Sequence, residues 1–155
     1  MSNLEVHFTN KSNEWETPRS LFKELDDEFN FTIDVCATKE SAKCERFYTK
    51  QTNGLAQSWE SEVAFMNPPY GREISTWIEK AYRESLNGAV VVCLIPARTD
   101  TKYWHDYCMN ANQIQFVKGR LKFGEGTGSA PFPSAVVVFS REIMPFGIIV
   151  SSISR

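Results

Sequence analysis

Ala89-Val90-Val91-Val92-Cys93-Leu94-Ile95-Pro96 is an unbroken apolar run, and it limits the fold more than any other stretch of the chain. A strand with one wet face alternates apolar and polar residues. This one does not, so it fits a strand covered on both sides of a sheet. Just before it, Ile74, Trp77, Ile78, Ala81, Tyr82 and Ser85 recur at helical spacing, which predicts a helix over 74–86 closed by Asn87-Gly88. Earlier still, Val63-Ala64-Phe65-Met66 reads as another buried strand, ending at Asn67-Pro68-Pro69-Tyr70-Gly71. Strand, helix, strand in that order predicts a right-handed parallel crossover. The fold class is therefore α/β, and the two strand ends, Asn67 and Pro96 onward, should share one edge of the sheet.

The chain has 155 residues, enough for one domain with a core and too few for two. Residues 1–13 read as a polar arm, and 14–155 as a single domain. No run approaches the ~20 apolar residues that span a bilayer, and the start lacks the apolar centre of a secretory signal. Cytoplasm is the default. The four cysteines, at 36, 44, 93 and 108, show no zinc-ligand spacing, so they read as reduced thiols with no metal site. The net charge of −2 does not itself favour a polyanionic partner. Clustering matters more than the sum, and Arg72, Arg98, Lys102, Lys118, Arg120 and Lys122 fall near expected loops.

The chemistry concentrates at Asn67-Pro68-Pro69-Tyr70. The prolines fix φ and donate no backbone N–H, so the main-chain carbonyls are available to an outside donor. Asn67 adds a side-chain carbonyl and Tyr70 an aromatic face. Two acceptors beside a ring suit a planar molecule bearing an NH2 group, such as a flipped nucleobase. A plain strand-to-loop turn explains the same residues structurally. The functional reading requires Asn67 and Tyr70 to border a cavity.

Elsewhere, Thr17 fits an N-cap with Pro18 at the first helical position, and Leu21, Phe22, Leu25 and Phe29 line the helix that follows. Residues 31–37 predict a first strand. Asp34 inside it needs partners, or reaches a ligand at the strand's carboxyl end. Residues 43–48 hold a short strand or helix, Asn53-Gly54-Leu55 a turn, and Trp59 is a lid or core residue. Asp100 reads as a cap for a helix over 103–109, with Trp104, Tyr107 and Cys108 inward. Strands over 113–123 and 134–140 are joined by a glycine-rich loop, 124–133, which suits recognition. No Gly-Lys-Ser/Thr ending makes that loop a phosphate cradle. Residues 146–149 add an edge strand or pack loosely.

Asn67-Pro68-Pro69-Tyr70 after an apolar strand resembles the catalytic motif of amino-group methyltransferases that use S-adenosylmethionine. The wider pattern resembles the phage Dam-like DNA N6-adenine methyltransferases. It rests on Thr17-Pro18, Asp34-Val35-Cys36-Ala37, Asn67-Pro68-Pro69-Tyr70-Gly71, Pro96-Ala97-Arg98-Thr99-Asp100-Thr101, Gly119-Arg120-Leu121-Lys122-Phe123 and Ala130-Pro131-Phe132-Pro133-Ser134, in that order. The resemblance implies a Rossmann-like methyltransferase fold: a mostly parallel sheet, helices on both faces and a C-terminal antiparallel β-hairpin. It implies methyl transfer from S-adenosylmethionine to adenine N6 in double-stranded DNA by a monomer or homodimer.

Catalysis would then fall to Asn67, Pro68, Pro69 and Tyr70. The cofactor would be held by Trp15, Thr17, Pro18, Asp34, Cys36 and Ala37. Asn53 and Leu55 would hold its adenine half, although a surface turn explains these two equally well. Arg98, Arg120 and Lys122 would meet phosphates, and Phe123 or Phe132 would cover the base's other face. The usual Gly-x-Gly after the first strand is absent here, where Val35-Cys36-Ala37 stands instead. The same chemistry on RNA or on protein glutamine, and a non-catalytic nucleic-acid-binding module on this fold, are the competing readings.

Overall fold

The apolar run lies where its composition requires, in the middle of a sheet. In the computed structural model, which describes residues 15–124, 128–142 and 144–154, it forms β3 (Val90–Pro96) between two neighbours. Val91 to Ile95 are fully buried. One neighbour is β2 (Val63–Met66), which is parallel. The other is β5 (Ser134–Phe139), which is antiparallel. With β1 (Ile33–Asp34), β4 (Gln113–Val117) and β6 (Ile149–Ile153), the sheet order is β1-β2-β3-β5-β4-β6. The pairings make β5 alone run against the rest. The polar arm expected at 1–13 lies outside the described residues.

Residues paired directly across strands share a face. Ala64, Val91 and Phe139 therefore point to one side, and Phe65, Val92 and Val138 to the other. Tyr82 of α2 (Ile74–Leu86) packs on Phe139, ring centroids 6.1 Å apart. Phe22 of α1 (Arg19–Phe29) packs on Phe65 at 5.1 Å. The two helices thus cover opposite faces, and α2 links β2 to β3 over the predicted span. Gly88, at φ 107, takes the chain out of α2 beyond Asn87, a conformation that favours glycine. None of the helices among the described residues is long and apolar enough to cross a membrane.

Several boundaries differ from the sequence reading. The first strand spans Ile33–Asp34 rather than 31–37: its bonds to β2 reach only from the Thr32 N–H (to the Val63 carbonyl, 2.9 Å) to the Val35 N–H (to the Phe65 carbonyl, 3.1 Å), and other partners take over outside them. The Phe31 N–H donates to the Asp26 carboxylate (2.9 Å). Beyond Asp34, the Ala37 N–H donates to the Tyr48 carbonyl (2.9 Å). Asp34 also bonds through its main chain to Arg46 and Tyr48, so residues 46–48 form an irregular outer edge along β1. The strand expected over 113–123 ends at Val117. The Lys118 N–H still bonds to the Ile153 carbonyl at the end of β6 (2.9 Å), and Gly119 then turns the chain out at φ 77.

The edge strand at the tail begins at Ile149, later than expected; Phe146 is fully exposed. The helix expected over 103–109 is α3 (Lys102–Asp106) followed by a 3-10 turn at Cys108–Asn110. Asp100 does not cap it. Thr101 holds the cap position without a side-chain cap bond, and its hydroxyl donates to the Arg98 carbonyl (2.7 Å).

Trp59 is core rather than lid. It is fully buried, with its indole N–H on the Gly54 carbonyl (2.9 Å) and its ring stacked on Trp77. Glu84 accepts the Trp59 main-chain N–H (3.2 Å) and pairs with Lys80, whose ammonium also reaches the Gln57 carbonyl (2.6 Å). This network ties residues 54–59 to α2 and seats the 3-10 turn Gly54–Ala56 beneath the end of β1. A Cβ at Gly54 would meet the Val35 carbonyl oxygen at 2.3 Å, so only glycine permits that approach. Gly54→Ala should lower the unfolding free energy by about 1–3 kcal/mol, read from the urea midpoint at unchanged slope.

Candidate active site at the carboxyl ends of the parallel strands

β2 delivers Asn67 to the carboxyl edge of the sheet, where open α/β sheets bind ligands. The chain stays close there, with Pro68 buried and Gly71 at φ 118. The Asn67 side-chain N–H groups donate to the Trp15 main-chain carbonyl and to Thr17 Oγ1 (2.9 Å). A main-chain carbonyl only accepts, so this pairing decides which way the amide faces. The other end, Oδ1, is buried and has no partner among the described residues. A buried carbonyl left unpaired is costly in a folded chain and calls for an explanation.

The segment carrying those two acceptors is itself pinned. The Glu16 carbonyl accepts the Gly124 N–H (2.8 Å), and the Glu16 carboxylate pairs with Lys43 (3.0 Å). Thr17 is buried, and it is not the helix cap. Pro18 holds that position in an extended conformation (φ −58°, ψ 135°) without a side-chain cap bond, and Thr17's hydroxyl serves Asn67 instead.

Tyr70 is 5% exposed, and its hydroxyl donates to the Leu94 carbonyl of β3 (3.1 Å). Burial pushes its phenol well above the ordinary range. Its ring meets the rings of Phe123 and Phe132 at 6.2 and 5.5 Å, near edge-on, and Trp15 packs edge-on to both at 5.5 and 5.3 Å. The tyrosine face expected to border a cavity is thus covered, so the open pocket that the sequence reading required at Tyr70 is closed in this structure. The two phenylalanines flank the glycine-rich segment, and burying four rings against one another keeps their apolar surface from water.

The basic residues form the rim. Arg98 lies over the Phe132 ring at 6.0 Å, and Arg120 donates to the Ala130 carbonyl (3.3 Å). Lys122 is exposed between buried Leu121 and Phe123. Lys102 leans instead on Asp106 of its own helix.

The family model for DNA N-6-adenine-methyltransferase (Dam) matches residues 6–155. The chain belongs to that family. It is 31% identical over 147 residues to the DNA N-6-adenine-methyltransferase of Haemophilus phage HP1, which covers 89% of this chain and 84% of the relative. With the protein of the same description from Escherichia phage T1 it shares 28% over 109 residues, 69% of this chain and 45% of that one. A shorter match, 34% over 64 residues, is to the putative methyltransferase YfdM of Escherichia coli K12, covering 37% of this chain and 70% of the relative.

A methyltransferase of this family calls for a methyl donor, and S-adenosylmethionine is the general one. Its expected holders gather in two groups. Trp15 and Thr17 sit against Asn67, with Pro18 opening α1. Asp34 ends β1 and Cys36 and Ala37 follow it, with the Asn53–Leu55 turn brought close by Gly54; Asn53 is exposed at φ 53 and Leu55 half-buried. Both groups occupy the carboxyl ends of neighbouring parallel strands, so their placement fits one elongated ligand across β1 and β2.

Asp34 itself is turned to the backbone. Its two oxygens accept the Cys36 (3.3 Å) and Lys43 (3.0 Å) N–H groups, so it shapes the loop after β1. Lys43 was invisible to sequence reasoning. Its amide holds Asp34 and its ammonium holds Glu16, across gaps in the chain that no local spacing encodes.

Burial outweighs those hydrogen bonds and raises the Asp34 carboxyl from 3.8 to about 6. With the folded value above the unfolded one, the folded state holds more protons between pH 4 and 6. Stability should therefore fall as pH rises through that window and level off above it. Asp34→Asn should lack that slope in thermal melts taken from pH 4 to 7.

Proposed function

We propose that this chain methylates adenine N6 in double-stranded DNA at a particular sequence, using S-adenosylmethionine, and that Asn67, Pro68, Pro69 and Tyr70 are its catalytic residues. The observation that carries the reading is the Asn67 amide: both its donors are engaged, and its buried carbonyl oxygen has no donor among the described residues. That oxygen suits one N–H of an exocyclic amine. The Pro68 carbonyl would take the other.

The adenine amine is a poor nucleophile because its lone pair is delocalised into the ring. Two acceptors holding its N–H groups draw the nitrogen toward tetrahedral geometry and localise that pair. S-adenosylmethionine supplies a methyl group made electrophilic by its positive sulfur. With that donor bound, the N6–methyl bond would form as the methyl–sulfur bond broke, the sulfur would keep that electron pair, and N6, held by Asn67 and Pro68, would release one proton to water. Holding the amine in line with the methyl group supplies much of the acceleration.

Tyr70 would stack on the flipped base, a contact worth roughly 1–3 kcal/mol. Because Phe123 and Phe132 meet that ring, base entry would displace at least one of them, and the displaced ring would then cover the base's other face. Arg98, Arg120 and Lys122 on the rim would take phosphates, a backbone contact that sets position rather than sequence.

Asn67→Ala should lower methylation by at least about 100-fold, while calorimetry shows S-adenosylmethionine still bound. Retained turnover would discard the assignment. The substrate is tested with labelled methyl groups offered to duplex DNA, RNA and protein in parallel, where label confined to DNA is the expected result. Tyr70→Phe keeps the ring and loses only the bond to Leu94, so it should remain active at a stability cost of about 1 kcal/mol. Tyr70→Ala should weaken DNA binding and turnover together. Equal activity loss in both Tyr70 variants would remove the stacking role.

A further inference from the structure

The Asn67 amide can present its carbonyl only while its two N–H groups are held, so the residues that hold them act on the reaction without touching the base. Trp15 contributes a main-chain oxygen, which no side-chain substitution removes. Thr17 contributes a hydroxyl at 2.9 Å from a buried position, on a segment anchored at Gly124 and Lys43. We propose that Thr17 is a positioning residue for the catalytic amide: its hydroxyl fixes the rotation of the Asn67 side chain and so aims Oδ1 at the substrate amine. The proposal rests on Asn67 being the catalytic acceptor, and it assigns Thr17 a role separate from holding the methyl donor or capping α1.

The geometry argues against the cap. Pro18 occupies the cap position, and the Thr17 hydroxyl faces Asn67, fifty positions along the chain. With the hydroxyl removed, the Trp15 carbonyl still selects which end of the amide faces inward, but one N–H loses its partner. The side chain is then held at a single point and can swing about it. A small misplacement of a reacting group lowers the rate while leaving ligand binding intact.

The test compares Thr17→Val, which keeps shape and burial but removes the acceptor, with Thr17→Ser, which keeps the hydroxyl. Wild type and Asn67→Ala serve as references, and each protein is measured for kcat and KM on duplex DNA, for S-adenosylmethionine affinity by calorimetry, and for melting temperature. Thr17→Val should lower kcat by about 10-fold or more, with KM and donor affinity near wild type and the melting temperature lowered by only a few degrees through the unpaired N–H, and Thr17→Ser should recover most of both the rate and the melting temperature. Weaker donor binding with kcat preserved would overturn the proposal by making Thr17 a donor contact. Parallel losses of melting temperature and rate in both Thr17 variants would overturn it by making the role structural. Wild-type activity with no effect of Thr17→Val would also sink it. An inactive wild type would instead strike at the methyltransferase reading itself.

Discussion

The site depends on one hydrogen-bonding asymmetry. A primary amide has a donating end and an accepting end, and the fold engages only the first. Trp15 and Thr17 take both N–H groups of Asn67, and the buried carbonyl finds no donor among the described residues. Folding normally removes such unpaired groups because they lose their hydration without replacement. Here the arrangement is kept by anchors on three sides: β2 behind Asn67, Gly124 against the Glu16 carbonyl, and Lys43 against the Glu16 carboxylate.

The aromatic cluster answers a related constraint. A surface able to stack on a base is apolar, and left open it would meet water at every moment without substrate. In this structure Tyr70, Phe123, Phe132 and Trp15 cover one another edge to edge. The hydroxyl of Tyr70 is tied to the Leu94 carbonyl at the same time, so the ring is held in place by β3 from below. Rings supplied by both flanks of a glycine-rich segment bring together chain stretches that share no regular pairing, since β4 ends at Val117 and β5 begins at Ser134.

Charge follows the same division. Among the described residues the buried carboxylates are Asp34 and Glu84, and each is tied to the main chain. Asp34 accepts two backbone N–H groups beside β1, and Glu84 accepts the Trp59 N–H under α2. Both act as staples on loops that lack regular structure. The arginines lie outside, over Phe132 and at Ala130, where an approaching polyanion would meet them. A net charge of −2 therefore says little about this face.

Periodicity and composition determined the sheet. The apolar run at 90–96 and the helical face from Ile74 to Ser85 belong to elements whose residues are neighbours in sequence, so burial writes a local pattern. The same holds for the motif at Asn67, whose residues stand side by side on the chain. Tertiary structure alone decided where β1 and β4 end, because beyond β1 the chain turns to Tyr48 and β4 stops where its partner β6 ends at Ile153. It also decided that Thr17 serves Asn67 rather than its own helix, that Tyr70 is covered, and that Lys43 joins Asp34 to Glu16. Each of these is a contact between residues far apart on the chain, formed by a hydrogen bond or a ring edge that leaves no periodic trace in the sequence.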